Sequence, residues 1–570
     1  MRIVAINAGI HDTSAAAFED YTLVAAVAEE RLTRIKGYGQ TVPWLGIDEV
    51  LRIAGWRRDE VDAIALTRGF HPTYHLRMPL WRELRYSLAR ARGTRSDYRD
   101  LAVLSRRFGT ADTIKLLHVE RFLRDNAFRA DTKVHFANHH EAHALAALFY
   151  TDWDEALVYT SDGIGDNVSY SMRSLKDGRL DCHWGDDRWL TQKVSEAGLA
   201  SAYGYATVAC GFKMLRHEGK LTGLAAYGEP KLADEMAAQF RLTADGLIET
   251  DFRNWKAMRA KILAICAGHD RETIAASIQK AAENLTLQSV RWWLEKTGAR
   301  RLALAGGLFA NVRLNRLLAE SLPLEEVFVF PAMGDDGLPV GAGLSFLHAR
   351  DGTARWLSQR RRLDNVYLGQ NFDGRIDAAL DAAGMRRLGG TPVETAVDLI
   401  RAGKAGAIYT GRMEFGPRAL GARSIIASPH DHAINDVLNK RLARSEFMPF
   451  APFVLEEDAA RVFEITDVNR YAARFMTITC AVRPEWRARI AAVVHVDGTA
   501  RPQIIRDADN PLFAAILRRF RDQTGLPVLI NTSFNVHEEP IVNRPEECLQ
   551  ALRDERVDFV VTQQAVYAKG

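Results

Sequence analysis

A chain of 570 residues exceeds what one compact core holds, so two or more domains are expected. Hydrophobic content of 47%, charged content of 26% and a net charge of +3 are ordinary for a soluble globular protein and give no reason to expect bulk attraction to nucleic acid. No apolar run reaches the length of a membrane span or a secretory leader, and the five cysteines form no CxxC pair, so neither membrane nor disulfide framework is expected and the compartment reads as reducing cytoplasm.

In chain order, residues 2–8 predict a strand that ends in Asn7-Ala8-Gly9. Small residues follow at 13–17, and residues 23–27 predict a second strand. Residues 76–130 differ in character. Arg82, Arg85, Arg90, Arg92, Arg95, Arg99, Arg106 and Arg107, set among Trp81 and Tyr86, predict a basic helical insertion, either a solvated face or a surface for an anionic acceptor. Next comes Asn138-His139-His140-Glu141-Ala142-His143, running into an apolar segment. Spacing of four puts His139 and His143 on one helical face, where two imidazoles can grip one divalent metal. Asn138 with Glu141 also fits a capping box, which would only start the helix.

An apolar run at 156–159 leads into Ser161-Asp162-Gly163-Ile164-Gly165-Asp166. This reads as a strand ending in a glycine turn, where phosphate oxygens meet backbone N–H groups. The grammar of residues 2–27 thus returns, hinting at a duplicated nucleotide-binding architecture. Residues 272–297 predict a helix with Trp292 and Trp293 in the core. Strands at 302–305 and 327–330 lead into Gly306-Gly307 and Gly334-Asp335, strand-to-helix turns of the kind where α/β folds bind ligands. A domain boundary falls at roughly 350–372, where the chain turns basic and irregular. Beyond it α/β patterning resumes: a helix at 511–523 stops at Gly525, and a strand at 528–530 opens onto Asn531-Thr532-Ser533-Phe534-Asn535.

Together these motifs resemble a known family. Gly9-Ile10-His11-Asp12-Thr13-Ser14, Glu29-Glu30-Arg31, the HxExH run, His217-Glu218-Gly219-Lys220, Gly306-Gly307 to Asn311, Gly334-Asp335, Gly411-Arg412 to Gly421 and Asn531 to Pro540 occur in the order seen in O-carbamoyltransferases of the nodulation-protein U, cephamycin and tobramycin type. The resemblance implies an α/β protein of two domains. Residues 1–355 would be a threonylcarbamoyl-transfer-like domain of the actin, chaperone-ATPase and sugar-kinase class, and residues 356–570 a YrdC-like domain. In such enzymes carbamoyl phosphate and ATP give carbamoyl-adenylate in the YrdC-like part, and the amino-terminal part passes the carbamoyl group to an alcohol. Iron is the metal implied there; Mn, Mg and Zn have compatible ligand chemistry.

The resemblance assigns roles residue by residue. His11 is the expected general base. Lys36, the other expected catalytic residue, would neutralise a phosphate as Lys220 would, and reads also as an ordinary exposed lysine. His139, His143 and Asp335 are the expected metal ligands, with Asp162 a fourth. Gly163, Gly165, Lys220, Gly306, Gly307, Asn311 and Gly334 are the expected nucleotide contacts. Carbamoyl phosphate is a small dianion and wants guanidinium and amide donors. Arg412, Arg418, Arg423, Arg501, Asn531 and Asn535 supply them; Glu414 with several of these arginines reads equally as a structural ion-pair network.

The chain also departs from its relatives. It has Ala443 and Met448 where many carry basic residues, and His537-Glu538-Glu539 after the asparagine motif. Lys440, Arg441, Arg444 or His537 would then complete the anion pocket. Two rivals stand beside this expectation: a tRNA threonylcarbamoyladenosine-type modification enzyme, and a non-catalytic ATP-binding protein of the chaperone or actin class. A zinc protease is disfavoured because HExxH is absent.

Overall fold

The computed structural model describes residues 1–77, 98–105, 108–188, 198–443 and 448–570, with Trp189 described in its backbone alone. The first sheet is built from β1 (Arg2–Asn7), β2 (Ser14–Glu19), β3 (Thr22–Ala28), β4 (Ala63–Thr67) and β5 (Lys133–Ala137) in the order β3-β2-β1-β4-β5. β1 to β3 pair antiparallel as a meander, and β4 and β5 join parallel to β1. The second sheet uses β6 (Ala156–Gly165), β7 (Val168–Lys176), β8 (Arg179–Trp184), β9 (Arg301–Ala305) and β10 (Glu326–Val329) in the order β8-β7-β6-β9-β10. Its pairings repeat the first: an antiparallel meander, then two parallel strands. The duplication hinted at by the sequence is therefore an architectural repeat, and this part of the chain has the α/β fold of the actin, chaperone-ATPase and sugar-kinase class.

Two helices lie between the repeats. Helix α1 (His139–Phe149) follows β5, and the helix Leu338–Asp351 follows β10. Their packing is unusually close because the facing residues are small. A Cβ placed on Gly341 would fall 1.8 Å from the backbone oxygen of Ala142, and one on Gly343 would fall 2.6 Å from the Phe18 ring. Each parallel strand ends beside the start of one of these helices, which sets both helix N-termini at one opening.

A third, eight-stranded mixed sheet fills the rest of the chain. Its strands are β11 (Arg386–Leu388), β12 (Gly406–Tyr409), β13 (Arg423–Ala427), β14 (Ala451–Leu455), β15 (Gln503–Ile505), β16 (Val528–Ser533), β17 (Phe559–Val561) and β18 (Val566–Ala568). The order is β11-β18-β17-β12-β13-β16-β14-β15. The helix Pro511–Thr524 ends at Gly525, whose φ of 70° gives the left-handed cap that the glycine predicts.

Several boundaries differ from the sequence expectation. Residues 14–17 belong to β2 rather than to a turn, because Ala15, Ala16 and Ala17 are fully buried small residues of a sheet interior. β6 runs through Gly163 to Gly165, so there is no glycine turn at 163; the reversal is made by Asp166 (φ 46°) and Asn167 (φ 75°). β16 extends through Asn531 to Ser533, because these residues pair with β13. Trp293 is core as expected, while Trp292 is only partly buried. Of the basic insertion, residues 78–97, 106 and 107 lie outside the described residues, and with them Trp81, Tyr86 and every predicted arginine except Arg99, which sits on the short strand Tyr98–Asp100. Arg444 is outside them too. All five cysteines are free thiols, and among the described residues no helix is long and apolar enough to cross a membrane.

The Ala142–Gly341 approach leads to the first prediction. Gly341→Ala must push two backbones apart, and overpacking of this kind costs about 1–3 kcal/mol. A lower urea midpoint is expected. An unchanged midpoint would mean that the two helices separate freely.

Candidate functional site

The N-terminus of α1 carries the two histidines. Asn138 caps the helix, its Oδ1 accepting from the Glu141 N–H at 3.1 Å, so half of the expected capping box is present. His140 points the other way and is structural. Its ring nitrogens are taken by Thr160 Oγ1 at 2.8 Å and the Val168 carbonyl at 3.0 Å, and burial holds its pKa well below the ordinary value.

His139 and His143 face two carboxylates. His143 Nε2 lies 3.3 Å from Asp162 Oδ2 and 3.5 Å from Asp335 Oδ1; His139 Nε2 lies 3.5 Å from the same Asp335 oxygen. One ligand atom from each of His139, His143, Asp162 and Asp335 falls within 4.8 Å of the others. Asp162 is held by the N–H groups of Gly163 and Gly307, the latter at 3.0 Å. The Nε2 atoms of both histidines and Oδ1 of Asp335 are buried without a hydrogen-bond partner. Buried polar atoms of this kind require a partner. Ligands at about 2.1 Å from one ion stand roughly 3.4 Å apart in a tetrahedron, so these separations suit a divalent cation bound by imidazole and carboxylate.

Without that cation, protons take its place. Burial opposes the imidazolium of His143, but the carboxylates of Asp162 and Asp335 beside its ring outweigh it and push its pKa up to about 9. Burial likewise opposes ionisation of Asp162, and His143 and His139 overcome it, holding that carboxyl far below the usual carboxylate range.

His11 sits on the loop between β1 and β2, with its Nε2 3.9 Å from Asp335 Oδ2. Its Nδ1 lies 2.8 Å from Asp12 Oδ2, and Asp12 adopts a left-handed φ of 53°. Burial works against the imidazolium, but the hydrogen bond to Asp12 and the charges of Asp335, Asp12 and Asp162 lift its pKa to about 10. Lys36 is half-buried on the loop packed under His11, where a Cβ on Gly39 would fall 2.5 Å from His11 Cα. Asp336, next to Asp335, is raised to about 7 by burial and by the charges of Asp12 and Glu30.

Other expected residues divide into those the fold brings together and those it employs elsewhere. Gly307 and Gly334 flank the carboxylates, and Gly163 has open space in front of it. Gly165 serves the protein rather than a nucleotide: a Cβ there would fall 2.1 Å from His139 Cδ2. Gly306 (φ 99°) makes its close approach to the Ser161 carbonyl of β6, at 2.2 Å from a would-be Cβ. Asn311 caps the helix Val312–Ser321 through Leu314 N–H at 3.0 Å, and its amide donates to Gln279 at 2.7 Å. Lys220 Nζ reaches His537 Nε2 at 3.2 Å, joining the HEGK motif to one of the places where the chain departs from its relatives.

The arginines of the carboxy-terminal region split the same way. Arg423 is fully buried, donates to the carbonyls of Thr410 and Ala422 at 2.8 Å, and stacks 3.8 Å from the Tyr409 ring centroid. Arg412 donates to the carbonyls of Gly369, Leu368 and Val24 at 2.7–3.0 Å. Both guanidiniums donate to backbone carbonyls, while Arg423 Nε is buried without a hydrogen-bond partner among the described residues. Glu414 accepts from the N–H groups of Leu420 and Arg423, not from a guanidinium. Asn531 and the 418–421 loop do meet, Asn531 Nδ2 donating to Ala419 O at 3.2 Å and to Gln503 Oε1 at 2.6 Å. Asn531 Oδ1 is buried without a hydrogen-bond partner. Arg418 reaches the Ala310 carbonyl at 3.3 Å, and Arg501 is half-buried just beyond a crevice lined by Thr222, Tyr227, Arg313, Met448, His495 and Asp497. Asn535 ties down its own turn, donating to Glu539 O at 2.7 Å.

Comparison with known families decides the identity. Residues 2–344 match the model described as carbamoyltransferase N-terminus, and residues 397–569 the model described as carbamoyltransferase C-terminus. The chain belongs to the carbamoyltransferase family. This carbamoyltransferase is 32% identical to an uncharacterized protein of Synechocystis across 100% of its own length and 96% of the relative. It is 31% identical to nodulation protein NolNO of Sinorhizobium fredii, over 97% of its length and 78% of that protein. Among solved structures, component A of the (R)-2-hydroxyglutaryl-CoA dehydratase of Acidaminococcus fermentans aligns over 62% of this chain and 99% of that one, at 12% identity and a TM-score of 0.33.

Sequence reasoning missed Asp12, Arg68 and Asp166. Asp12 is adjacent to His11 and was visible as a neighbour; Asp166 accepts the main-chain N–H of His139 at 2.7 Å and pairs with Arg68, contacts between distant segments that side-chain spacing does not reveal.

Two predictions come from the four-ligand cluster. A His139→Ala/His143→Ala protein should lose stoichiometric divalent metal in elemental analysis; retained metal would sink the assignment. The second concerns pH. The His143 pKa is raised from 6.5, so its ion pair stabilises the metal-free fold fully below about pH 6.5 and is lost as pH rises through about 9. A divalent ion must displace that proton, so its apparent affinity should climb with pH up to about 9 and then level. Titration calorimetry in buffers of different ionisation enthalpy measures the released proton; zero release at pH 7 would contradict this account.

Proposed function

We propose that the protein is an ATP-dependent O-carbamoyltransferase acting on a hydroxyl of a small-molecule acceptor such as a sugar, an antibiotic or another natural product. The observation that carries this reading is His11 standing beside the four-ligand cluster in a member of the carbamoyltransferase family. Residues 1–355 would carry the transfer and residues 356–570 the formation of carbamoyl-adenylate from carbamoyl phosphate and ATP.

The metal implied by the family fits the residues at hand: His139, His143, Asp162 and Asp335 would hold it. A divalent cation there supplies positive charge that balances the two carboxylates and the phosphate oxygens of a nucleotide. With Asp335 and Asp162 so balanced, His11 binds its own proton less tightly and takes the acceptor's hydroxyl proton at Nε2. Asp12 keeps the ring turned by holding Nδ1–H. The acceptor oxygen then attacks the carbamoyl carbon, the C–O bond to the adenylate phosphate breaks, and AMP leaves with the electron pair. Lys36 and Lys220 would balance phosphate charge on the way. In the carboxy-terminal region Arg418, Arg501 and Asn531 remain the proposed carbamoyl phosphate contacts.

The test separates the two steps. His11→Asn should still consume ATP in the presence of carbamoyl phosphate yet fail to add a carbamoyl group to an acceptor library read by mass spectrometry. Normal transfer would remove His11 from the role of base, and loss of ATP consumption would undo the division of labour.

A further inference from the structure

The β6–β7 hairpin closes with a two-residue turn, Asp166 and Asn167, both left-handed, between the paired residues Gly165 and Val168. Such turns accept Asn, Asp or Gly with little preference for charge. Yet Asp166 is charged and buried, with its side chain 2% exposed. Its Oδ2 accepts the main-chain N–H of His139 at 2.7 Å. Its Oδ1 accepts Nε of Arg68 at 2.8 Å, with Nη2 closer still. Arg68 comes from the end of β4, is 1% exposed, and donates from Nη1 to Ser105 Oγ at 2.9 Å.

Stability alone does not ask for this arrangement. A buried ion pair is often no more stabilising than apolar residues of the same volume. Its placement has a more specific effect. The His139 N–H is one of the donors that a helix start leaves free, and an anion there is favoured by the positive end of the helix dipole. Fixing it fixes the roll of α1, hence the direction in which His139 and His143 leave the helix one turn apart. Gly165, the residue before Asp166, is the floor under the His139 ring. One hairpin end thus sets both the backbone and the ring of a proposed ligand without reaching the ligand atoms themselves.

We infer that Asp166, held in place by Arg68, is a positioning residue that sets the presentation of His139 and His143 at the four-ligand centre. The inference rests on the reading of that centre as a metal site. Outer groups that orient ligands typically change metal affinity ten- to hundredfold when altered.

The probe is Co(II) added to the full-length metal-free protein, read by visible absorption and by equilibrium binding. Asp166→Asn keeps the turn and the volume but removes the charge. It should weaken Co(II) binding about ten- to hundredfold and alter the absorption bands, while its far-UV circular dichroism stays that of the wild type. Arg68→Met should do the same, and Arg68→Lys, which returns a cation to Asp166, should recover part of the affinity. A folded Asp166→Asn protein with wild-type affinity and spectrum would overturn the inference. So would failure of both Asp166→Asn and Arg68→Met to fold, which would make the pair a requirement of the fold. Absence of Co(II) binding by the wild type is a different pattern: it would remove the metal centre, and this inference with it.

Discussion

The rest of the site depends on how closely two helices approach. The Ala142 carbonyl stands where a side chain on Gly341 would have to go. Only small residues allow this, and α1 offers Ala142 there with Ala146 one turn further on the same face, both buried. Asp335 lies just before the second helix and His139 begins the first, so the distance between helices also sets the distance between Asp335 and His139. A bulkier core would move charged groups that never touch it.

That constraint explains what could be read from the sequence. His139 and His143 were legible because a helical period of 3.6 puts residues four apart on one face. Asp335 was legible only through family resemblance, since nothing in local spacing says which strand end faces which helix. The strands were largely visible as apolar runs, but β2 was not: Ser14 to Ala17 are too small to signal a strand until both faces are known to be covered. The turn after β6 was misplaced because Gly163 and Gly165 draw the eye, while left-handed Asp166 and Asn167 close the hairpin. Asp166 itself could not be assigned a task, because its partner is a backbone N–H supplied by another element.

The carboxy-terminal arginines show a different limit. Sequence identifies cations and cannot tell whether their charge faces a ligand or a row of carbonyls. Arg423, fully buried over Tyr409, and Arg412, spanning to β3, are beams of the fold. Arg418 lies between these cases: it is only partly buried and meets the Ala310 carbonyl at 3.3 Å. Two elements of the anticipated anion site nevertheless converge, because Asn531 closes on the 418–421 loop through backbone and amide contacts.

The same bonding habit governs how the two ends of the chain meet. Arg31 donates to Gly416 O, Arg34 to Pro540 O and Ile541 O, Arg412 to Val24 O, and Asn315 to Thr477 O. In each, one side chain reads the path of a backbone, while Arg34 also pairs with Glu547 at 3.3 Å and Lys213 and His217 with Glu538 at 2.7 Å. A seam of that kind tolerates sequence drift on its accepting side, so long as the main chain keeps its course. Chain segments from related carbamoyltransferases could then be recombined across it, an amino-terminal portion of one joined to a carboxy-terminal portion of another, wherever Glu538 and Glu547 are retained.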